Sequence, residues 1–212
     1  MEASLAVVRV GKGRGFIVGG NDDSRYIVTA AHCLPKLPEP NSSSLFPRLL
    51  GQLRAKRTTI WADCLFADPV SDMSVLCTPD DATRWKEYSG FVNDIAPLKL
   101  RPVQRLEQSS GPIIAAEQGW LFALDAEHWF KCRVEAVSAS GIWVAKAEEP
   151  IRGGMSGSPI LGDDGRVIAV CCTAGGSGDE DDREGGPNPG LATLPGWFLE
   201  ELNPRKRKGR QG

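Results

Sequence analysis

The stretch Gly154-Met155-Ser156-Gly157-Ser158-Pro159 places a serine between small residues, a setting in which a tight turn exposes one reactive hydroxyl. A serine hydroxyl is a weak nucleophile at neutral pH, so it needs an adjacent base that a third group orients. Two upstream segments supply such partners. His32 follows the β-branched run 26–29, and Asp72 precedes the apolar run 73–76. These residues predict nucleophilic catalysis, with Ser156 as nucleophile, His32 as base and Asp72 as the orienting carboxylate.

The motifs around these residues resemble those of the chymotrypsin-like (trypsin-like) serine peptidases. His32 lies in T-A-A-H-C and Ser156 in G-x-S-G-x-P. The chain order His, Asp, Ser is the order of that fold and differs from the orders of subtilisins and α/β-hydrolases. Positions 32, 72 and 156 are separated by 40 and 84 residues, which suits His and Asp on one barrel and Ser on a second. The resemblance covers nearly the whole chain and implies a serine endopeptidase acting on protein or peptide substrates.

The resemblance also implies roles for single atoms. Asp72 would accept a hydrogen bond from the inner ring nitrogen of His32, which leaves the outer nitrogen to take the Ser156 proton. The backbone amides of Gly154 and Ser156 would form the oxyanion hole. Glycine is suited to that position because the peptide before the nucleophile adopts a conformation closed to most residues.

By the register of the family, the primary specificity pocket is lined by small, uncharged residues, namely Pro150 at the floor and Cys172, Thr173, Ala174 and Gly175 along one wall. An unpaired buried charge costs several kcal/mol, so we expect small or medium apolar side chains before the scissile bond. One alternative stays open. A carboxylate of Glu149 or of the acidic run 179–182 that folded inward would instead favour lysine or arginine.

The stretch Ile17-Val18-Gly19-Gly20 matches the sequence that becomes the new N-terminus when digestive relatives are activated by cleavage. It lies too close to His32 for that role, and Met155 stands where the receiving aspartate would precede the nucleophile. We therefore predict a strand and hairpin turn, as in HtrA-like and other bacterial-type members of the family. Two alternatives remain open. The fold could be catalytically silent and serve as a binding or regulatory module, or it could be a peptidase whose activity is regulated by another domain or a partner.

The elements that must position these residues follow an all-β pattern, with short apolar runs separated by Gly, Pro, Asn and Asp. The resemblance implies two six-stranded antiparallel β-barrels with a short C-terminal helix, at 194–202. We predict a first barrel over residues 1–98, a second barrel over 99–203 and a basic tail over 204–212. Strands are predicted at residues 5–10, 15–18, 26–29, 58–66, 73–77, 113–116, 120–124, 129–137, 141–147, 158–161 and 167–173. Residues 35–47 and 175–190 are predicted as loops and 80–88 as a helical turn.

Composition argues against several other classes of protein. A net charge of −2 with 41% hydrophobic residues gives no reason to expect nucleic-acid binding. No apolar run approaches the roughly 20 residues of a membrane helix, and no signal peptide is recognised, so we expect a cytoplasmic protein that does not bind membranes.

Cysteine spacing predicts free thiols. The chain has six cysteines, at positions 33, 64, 77, 132, 171 and 172. In secreted relatives the cysteine after the catalytic histidine pairs with one upstream, and no cysteine precedes Cys33. Cys171 and Cys172 are neighbours in a strand-like run and should point to opposite faces. Buried thiols in a reducing compartment fit this pattern, and no spacing resembles a zinc site, so we expect no metal or cofactor.

Overall fold

Two closed six-stranded antiparallel barrels make up the described part of the chain, which confirms the predicted fold class. The computed structural model describes residues 2–20, 24–34, 46–52, 60–104, 113–123, 128–136, 142–172, 190–193 and 198. A 3₁₀ helix, Glu2–Ala6, precedes the first strand. Within these ranges no helix is long and apolar enough to cross a membrane.

The first barrel has the neighbour order β1-β2-β3-β6-β5-β4 and closes through pairing of β1 with β4. Its strands are β1 (Val7–Val10), β2 (Gly13–Gly19), β3 (Arg25–Thr29), β4 (Phe46–Gln52), β5 (Ile60–Asp68) and β6 (Met73–Cys77). Every residue of β2 except Gly19 is buried, and the carbonyl of Ile17 accepts a hydrogen bond from the amide of Leu98 at 2.9 Å. Ile17 and Val18 are fully buried in this strand, which confirms that the segment is a strand.

The second barrel has the neighbour order β10-β11-β12-β9-β8-β7 and closes through pairing of β10 with β7. Its strands are β7 (Ala115–Phe122), β8 (Trp129–Ala136), β9 (Ile142–Ala145), β10 (Pro159–Leu161), β11 (Val167–Cys172) and β12 (Gly190–Thr193). All six residues of β11 are buried, because the run Val-Ile-Ala-Val-Cys-Cys has apolar side chains for both faces.

Several predicted boundaries were wrong. The two strands predicted at 113–116 and 120–124 are the single strand β7, which passes through Gly119. A Cβ atom at Gly119 would lie 2.7 Å from the side chain of Ile160, so this glycine permits close packing and does not break the strand. β4 begins inside the loop predicted at 35–47, whose residues 35–45 lie outside the described part, and β12 was not predicted.

One helix was predicted too short. The predicted turn at 80–88 is an α-helix of 11 residues, α1 (Ala82–Val92). Asp81 caps its start by accepting hydrogen bonds from the amides of Thr83 and Arg84. The predicted helix at 194–202 lies outside the described residues except for Phe198, which is buried.

The segment between the barrels is hydrogen-bonded to both of them. Leu98 donates to the carbonyl of Ile17 in the first barrel. Val167 in the second barrel donates to the carbonyl of Lys99 at 2.7 Å and accepts from the amide of Arg101 at 2.9 Å. The connection is therefore hydrogen-bonded to one strand of each barrel.

Among the described residues, the side chain of Arg101 ties this segment to the second barrel alone. Its guanidinium makes two hydrogen bonds of 2.8 Å to the carboxylate of Glu117 and a third of 2.8 Å to Asp164. The side chains of Arg101 and Glu117 are only 10% and 11% exposed. The charges are thus paired in a position with little access to solvent.

We expect Arg101→Met to lower the free energy of unfolding by about 3 kcal/mol. The change removes the charged partner of Glu117, whose largely buried carboxylate keeps, within the described ranges, only the backbone amide of Gln104 as a donor. Arg166 offers a matched control, since it also pairs with Asp164 but its side chain is 49% exposed. Arg166→Met should cost no more than about 1 kcal/mol. Urea denaturation of both variants measures the difference, and equal losses would contradict the assignment.

Candidate active site

His32 and Asp72 meet at two points. The Nδ1 atom of His32 lies 2.7 Å from Oδ2 of Asp72, and the backbone amide of His32 donates to Oδ1 at 3.0 Å. An ionised carboxylate only accepts hydrogen bonds, so Nδ1 carries the proton and Nε2 is left as an acceptor. The side chain of His32 is 45% exposed and that of Asp72 30% exposed, so a substrate has access to the pair.

Strand pairing brings these two residues together although 40 positions separate them in the chain. β3 pairs with β6 so that Thr29 faces Ser74. Two residues further along, Ala31 donates to the carbonyl of Asp72 at 3.1 Å. His32 follows in a short 3₁₀ helix, Ala31–Cys33, which turns the chain out of the barrel. The buried, β-branched strand thus sets the position of the histidine.

The turn between β5 and β6 sets the position of the carboxylate. The side chain of Asp68 accepts hydrogen bonds from the amides of Val70 and Ser71, at 2.9 and 3.2 Å. Asp72 then adopts a φ of 49°, a left-handed conformation that aspartate tolerates better than most residues. The backbone of Asp72 is therefore held before its carboxylate meets His32.

Ser156 lies in the second of two consecutive tight turns, 152–155 and 155–158. Met155 donates to the carbonyl of Arg152 at 3.1 Å, and Ser158 donates to the carbonyl of Met155 at 3.0 Å. The third residue of each turn is a glycine with positive φ, 93° at Gly154 and 82° at Gly157, as type II turns require. Among the described residues no hydrogen bond occupies the amide of Gly154. That amide is one of the two predicted for the oxyanion hole.

The main chain of Ser156 contacts β2 and the 3₁₀ helix Ala31–Cys33 of the first barrel. Its carbonyl accepts from the amide of Arg14 at 2.8 Å and from the thiol of Cys33, the neighbour of His32, at 3.4 Å. The space is narrow, because a Cβ atom at Gly13 would lie 2.4 Å from the sulfur of Cys33. The structure thus joins His32 and Asp72 directly and places the backbone of Ser156 beside them.

Gly157 has no room for a side chain. A Cβ atom there would lie 1.9 Å from the carbonyl oxygen of Arg14 and 2.6 Å from Oγ1 of Thr29. Thr29 itself donates to that carbonyl at 2.6 Å, so neither atom can move freely. The turn at Ser156, residues 155–158, therefore packs backbone to backbone against β2.

We expect Gly157→Ala to lower the free energy of unfolding by at least about 2 kcal/mol, from the backbone clash and the positive φ together. Gly153→Ala is the control, because a Cβ atom at Gly153 meets nothing within 4 Å. That variant should stay within about 0.5 kcal/mol of the wild type. Thermal and urea denaturation measure both changes. Similar stabilities of the two variants would contradict the packing described.

Met155, the residue shared by the two tight turns, is buried, with 1% exposure. Its sulfur accepts from the amide of Arg152 at 3.3 Å. By the resemblance, digestive relatives have their activation aspartate at this position. Here a buried apolar side chain and its sulfur contact with the backbone of Arg152 pack the turn instead.

Two cysteine thiols lie beneath the pair of His32 and Asp72. Cys33 and Cys172 form a buried cluster with Ala30, and the thiol of Cys172 donates to the carbonyl of Asp72 at 3.6 Å. Burial raises the pKa of the Cys33 thiol to about 11 and that of Cys172 further. Both thiols therefore stay protonated and act as weak donors to the site backbone. All six cysteines are free in the structure.

The residues predicted for the specificity pocket are only partly described. Pro150 is exposed, Cys172 turns its thiol toward Asp72, and residues 173–175 lie outside the described ranges. The neighbouring glutamates are engaged with the second barrel: Glu149 pairs with Nε2 of His128, and Glu148 accepts from the amide of Lys131 at 3.0 Å. The pocket assignment stays a prediction. Across the described ranges, no group of three or more His, Cys, Asp or Glu could hold a metal ion.

Sequence reasoning missed the contacts of Arg14, Cys33 and Cys172 with the site. Arg14 directly precedes the strand predicted at 15–18, and no role was predicted for it. Cys33 was considered for disulfide pairing and Cys172 for the pocket. Their positions next to the site motifs were visible, but their contacts join residues about 100 or more positions apart, which no local pattern reports.

Comparison with known proteins identifies the family of the chain and related folds. A family model described as a trypsin-like peptidase domain matches residues 13–170. The chain is similar in fold to the MamO protease domain from Magnetospirillum magneticum, with a TM-score of 0.53 and 16% identity over 93% of this chain and 95% of that one. It is also similar to an inactive form of Rv3671c from M. tuberculosis H37Rv, with a TM-score of 0.49 and 15% identity over 98% and 91% of the two chains. No curated protein sequence matches.

Proposed function

The chain belongs to the family of trypsin-like peptidase domains, and from this premise we propose that it is a serine endopeptidase that hydrolyses peptide bonds through an acyl-enzyme. The contact between His32 and Asp72 carries the proposal. Its two hydrogen bonds, 2.7 Å to the ring and 3.0 Å to the backbone, give the imidazole one orientation and one tautomer. A base held in this way is what activation of a serine hydroxyl needs.

The proposed reaction uses each of these groups in turn. Nε2 of His32 takes the proton as the Ser156 oxygen attacks the substrate carbonyl, and Asp72 stabilises the imidazolium that forms. The same proton then passes to the leaving amine. A water molecule, with His32 again as base, attacks the acyl-enzyme and releases the acid. The amides of Gly154 and Ser156 are proposed to bind the oxyanion, and the positive φ of Gly154 supports this arrangement of the turn.

The proposed preference is for small or medium apolar side chains before the scissile bond. The contacts of two nearby glutamates support this preference. Glu149 pairs with His128 and Glu148 accepts from the amide of Lys131, so both carboxylates already have partners. A buried lysine or arginine head group would then lack a partner among the described residues, at a cost of several kcal/mol. The free, buried cysteines fit a reducing compartment such as the cytoplasm, which is part of the same proposal.

A positional peptide library tests the activity and the preference together. The purified chain should cleave peptides and should select apolar residues at the position before the cut. Strong selection for lysine or arginine would overturn the preference and would direct attention to the acidic run 179–182. Absence of cleavage, together with specific binding of peptides, would instead support the catalytically silent module.

A further inference from the structure

Arg14 is a buried cation in contact with the turn at Ser156. It lies in β2, and the residue is only 2% exposed. Its backbone amide donates to the carbonyl of Ser156 at 2.8 Å, and its own carbonyl receives the hydroxyl of Thr29. The backbone of Arg14 therefore sits between the nucleophile and the strand that leads to His32.

The side chain of Arg14 crosses to the other barrel. Its guanidinium donates to the carbonyl of Phe122 at 2.7 Å and to that of Ala123 at 3.0 Å. It also lies 5.7 Å from the centre of the Phe122 ring. Hydrogen bonds from a charged donor are about twice as strong as neutral ones, and burial strengthens them further. One residue of the first barrel thus holds the end of β7 in the second.

The residue after β7, Ala123, is hydrogen-bonded to the segment that carries His128. Ala123 donates to the carbonyl of His128 at 2.9 Å. The side chain of His128 pairs with Glu149, which lies five residues before Gly154 in the chain. Arg14 therefore contacts the turn at Ser156 directly, through the carbonyl of Ser156. Its guanidinium also lies near the segment before that turn, where the half-exposed pair of His128 and Glu149 is found.

We propose that Arg14 is a positioning residue. Its guanidinium holds the second barrel in the position at which the turn at Ser156 faces His32. This role rests on the proposed peptidase function. A misplacement of about 1 Å can cost about 100-fold in rate, because the reacting atoms must start close and aligned. Loss of the guanidinium should therefore slow the chemical step and leave initial binding of a small reagent nearly unchanged.

The experiment measures the reaction of the chain with a fluorophosphonate probe, separating the binding constant KI from the rate constant kinact. Arg14→Met should lower kinact about 100-fold, with KI changed less than about threefold. Arg14→Lys keeps the charge and can reach one carbonyl, so it should recover at least about tenfold of that loss.

Arg101→Met is the matched control, because the side chain of Arg101 is only 10% exposed and, among the residues that the structure describes, ties the segment between the barrels to the second barrel alone. In the described part of the chain it makes no hydrogen bond to His32 or to the turn at Ser156. It should lower the melting temperature without changing kinact at temperatures where the chain is folded. If Arg14→Met and Arg101→Met both slow labelling in proportion to lost stability, the positioning role is wrong.

The remaining outcomes are equally decisive. A folded Arg14→Met variant with wild-type kinact overturns the inference and leaves the peptidase function standing. If Arg14→Met does not fold, Arg14→Lys decides, since a reduced kinact with unchanged KI supports the role and a wild-type kinact overturns it. A wild-type chain that does not react with the probe contradicts the peptidase function itself, and the role of Arg14 falls with it.

Discussion

Replacing Ser156 with alanine is expected to abolish peptide hydrolysis, with a loss of about a million-fold in rate. The change removes one hydroxyl, while the carbonyl of residue 156 keeps its contacts with Arg14 and Cys33. The fold should therefore stay intact, with a free energy of unfolding within about 1 kcal/mol of the wild type. Hydrolysis rates and urea denaturation of the two proteins measure these effects.

Ser158 provides a matched control within the same turn. Its hydroxyl is also buried, but it has no hydrogen-bond partner among the described residues. Removing an unsatisfied buried hydroxyl costs little, so Ser158→Ala should keep both stability and turnover. Unchanged turnover in Ser156→Ala, or the loss of turnover in Ser158→Ala alone, would show that Ser156 is not the nucleophile.

Asp72→Asn is expected to lower the hydrolysis rate about 10,000-fold without unfolding the chain. The amide oxygen of asparagine must accept from the backbone amide of His32, since that donor now meets the carboxylate at 3.0 Å. The amide nitrogen then faces Nδ1, where it can only donate. The imidazole is forced to carry its proton on Nε2, so it cannot accept the proton of Ser156. Asparagine also tolerates the left-handed backbone at this position.

Asp68→Asn is the control for this prediction. Asp68 caps the same hairpin turn through the amides of Val70 and Ser71 and makes no hydrogen bond to His32. Its replacement should change the rate less than about tenfold, because the amide oxygen can still accept from the turn. Equal rate losses in the two variants would mean that the turn conformation matters and the tautomer of His32 does not.

The three candidate catalytic residues could be found from the sequence because each lies in a local motif. T-A-A-H-C begins at the last residue of β3, G-x-S-G-x-P contains the glycines of the two tight turns, and Asp72 directly precedes β6. Alternating short apolar runs predicted the all-β class for a physical reason, since each barrel buries one face of every strand. The family and the fold were therefore predictable, while the catalytic roles still await experiment.

The missed strands contradict the usual preferences of β-structure. β4 contains Pro47 and Gly51, and β12 begins with Gly190, residue types that are depleted in strands. Closure of each barrel requires these strands as the sixth partner, so tertiary pairing overrides local propensity. α1 was predicted too short because only Tyr88 and Val92 are buried, which leaves little helical periodicity in the sequence.

The contacts of Arg14 could not be predicted for a different reason. An arginine in a strand is normally interpreted as a solvent-facing residue, and its carbonyl partners lie 108 and 109 positions away. Backbone carbonyls carry no sequence signature. The same holds for the thiol of Cys172, which meets Asp72 across 100 positions. Such contacts become visible only when the two barrels are placed together.

The most direct test of the account is mass spectrometry of the chain after reaction with a fluorophosphonate probe, followed by digestion and fragmentation of the labelled peptide. The account predicts one phosphonyl group per molecule, attached to the oxygen of Ser156, and no adduct in Ser156→Ala or after unfolding. A folded wild-type chain that stays unmodified, or an adduct on any other residue, would contradict it.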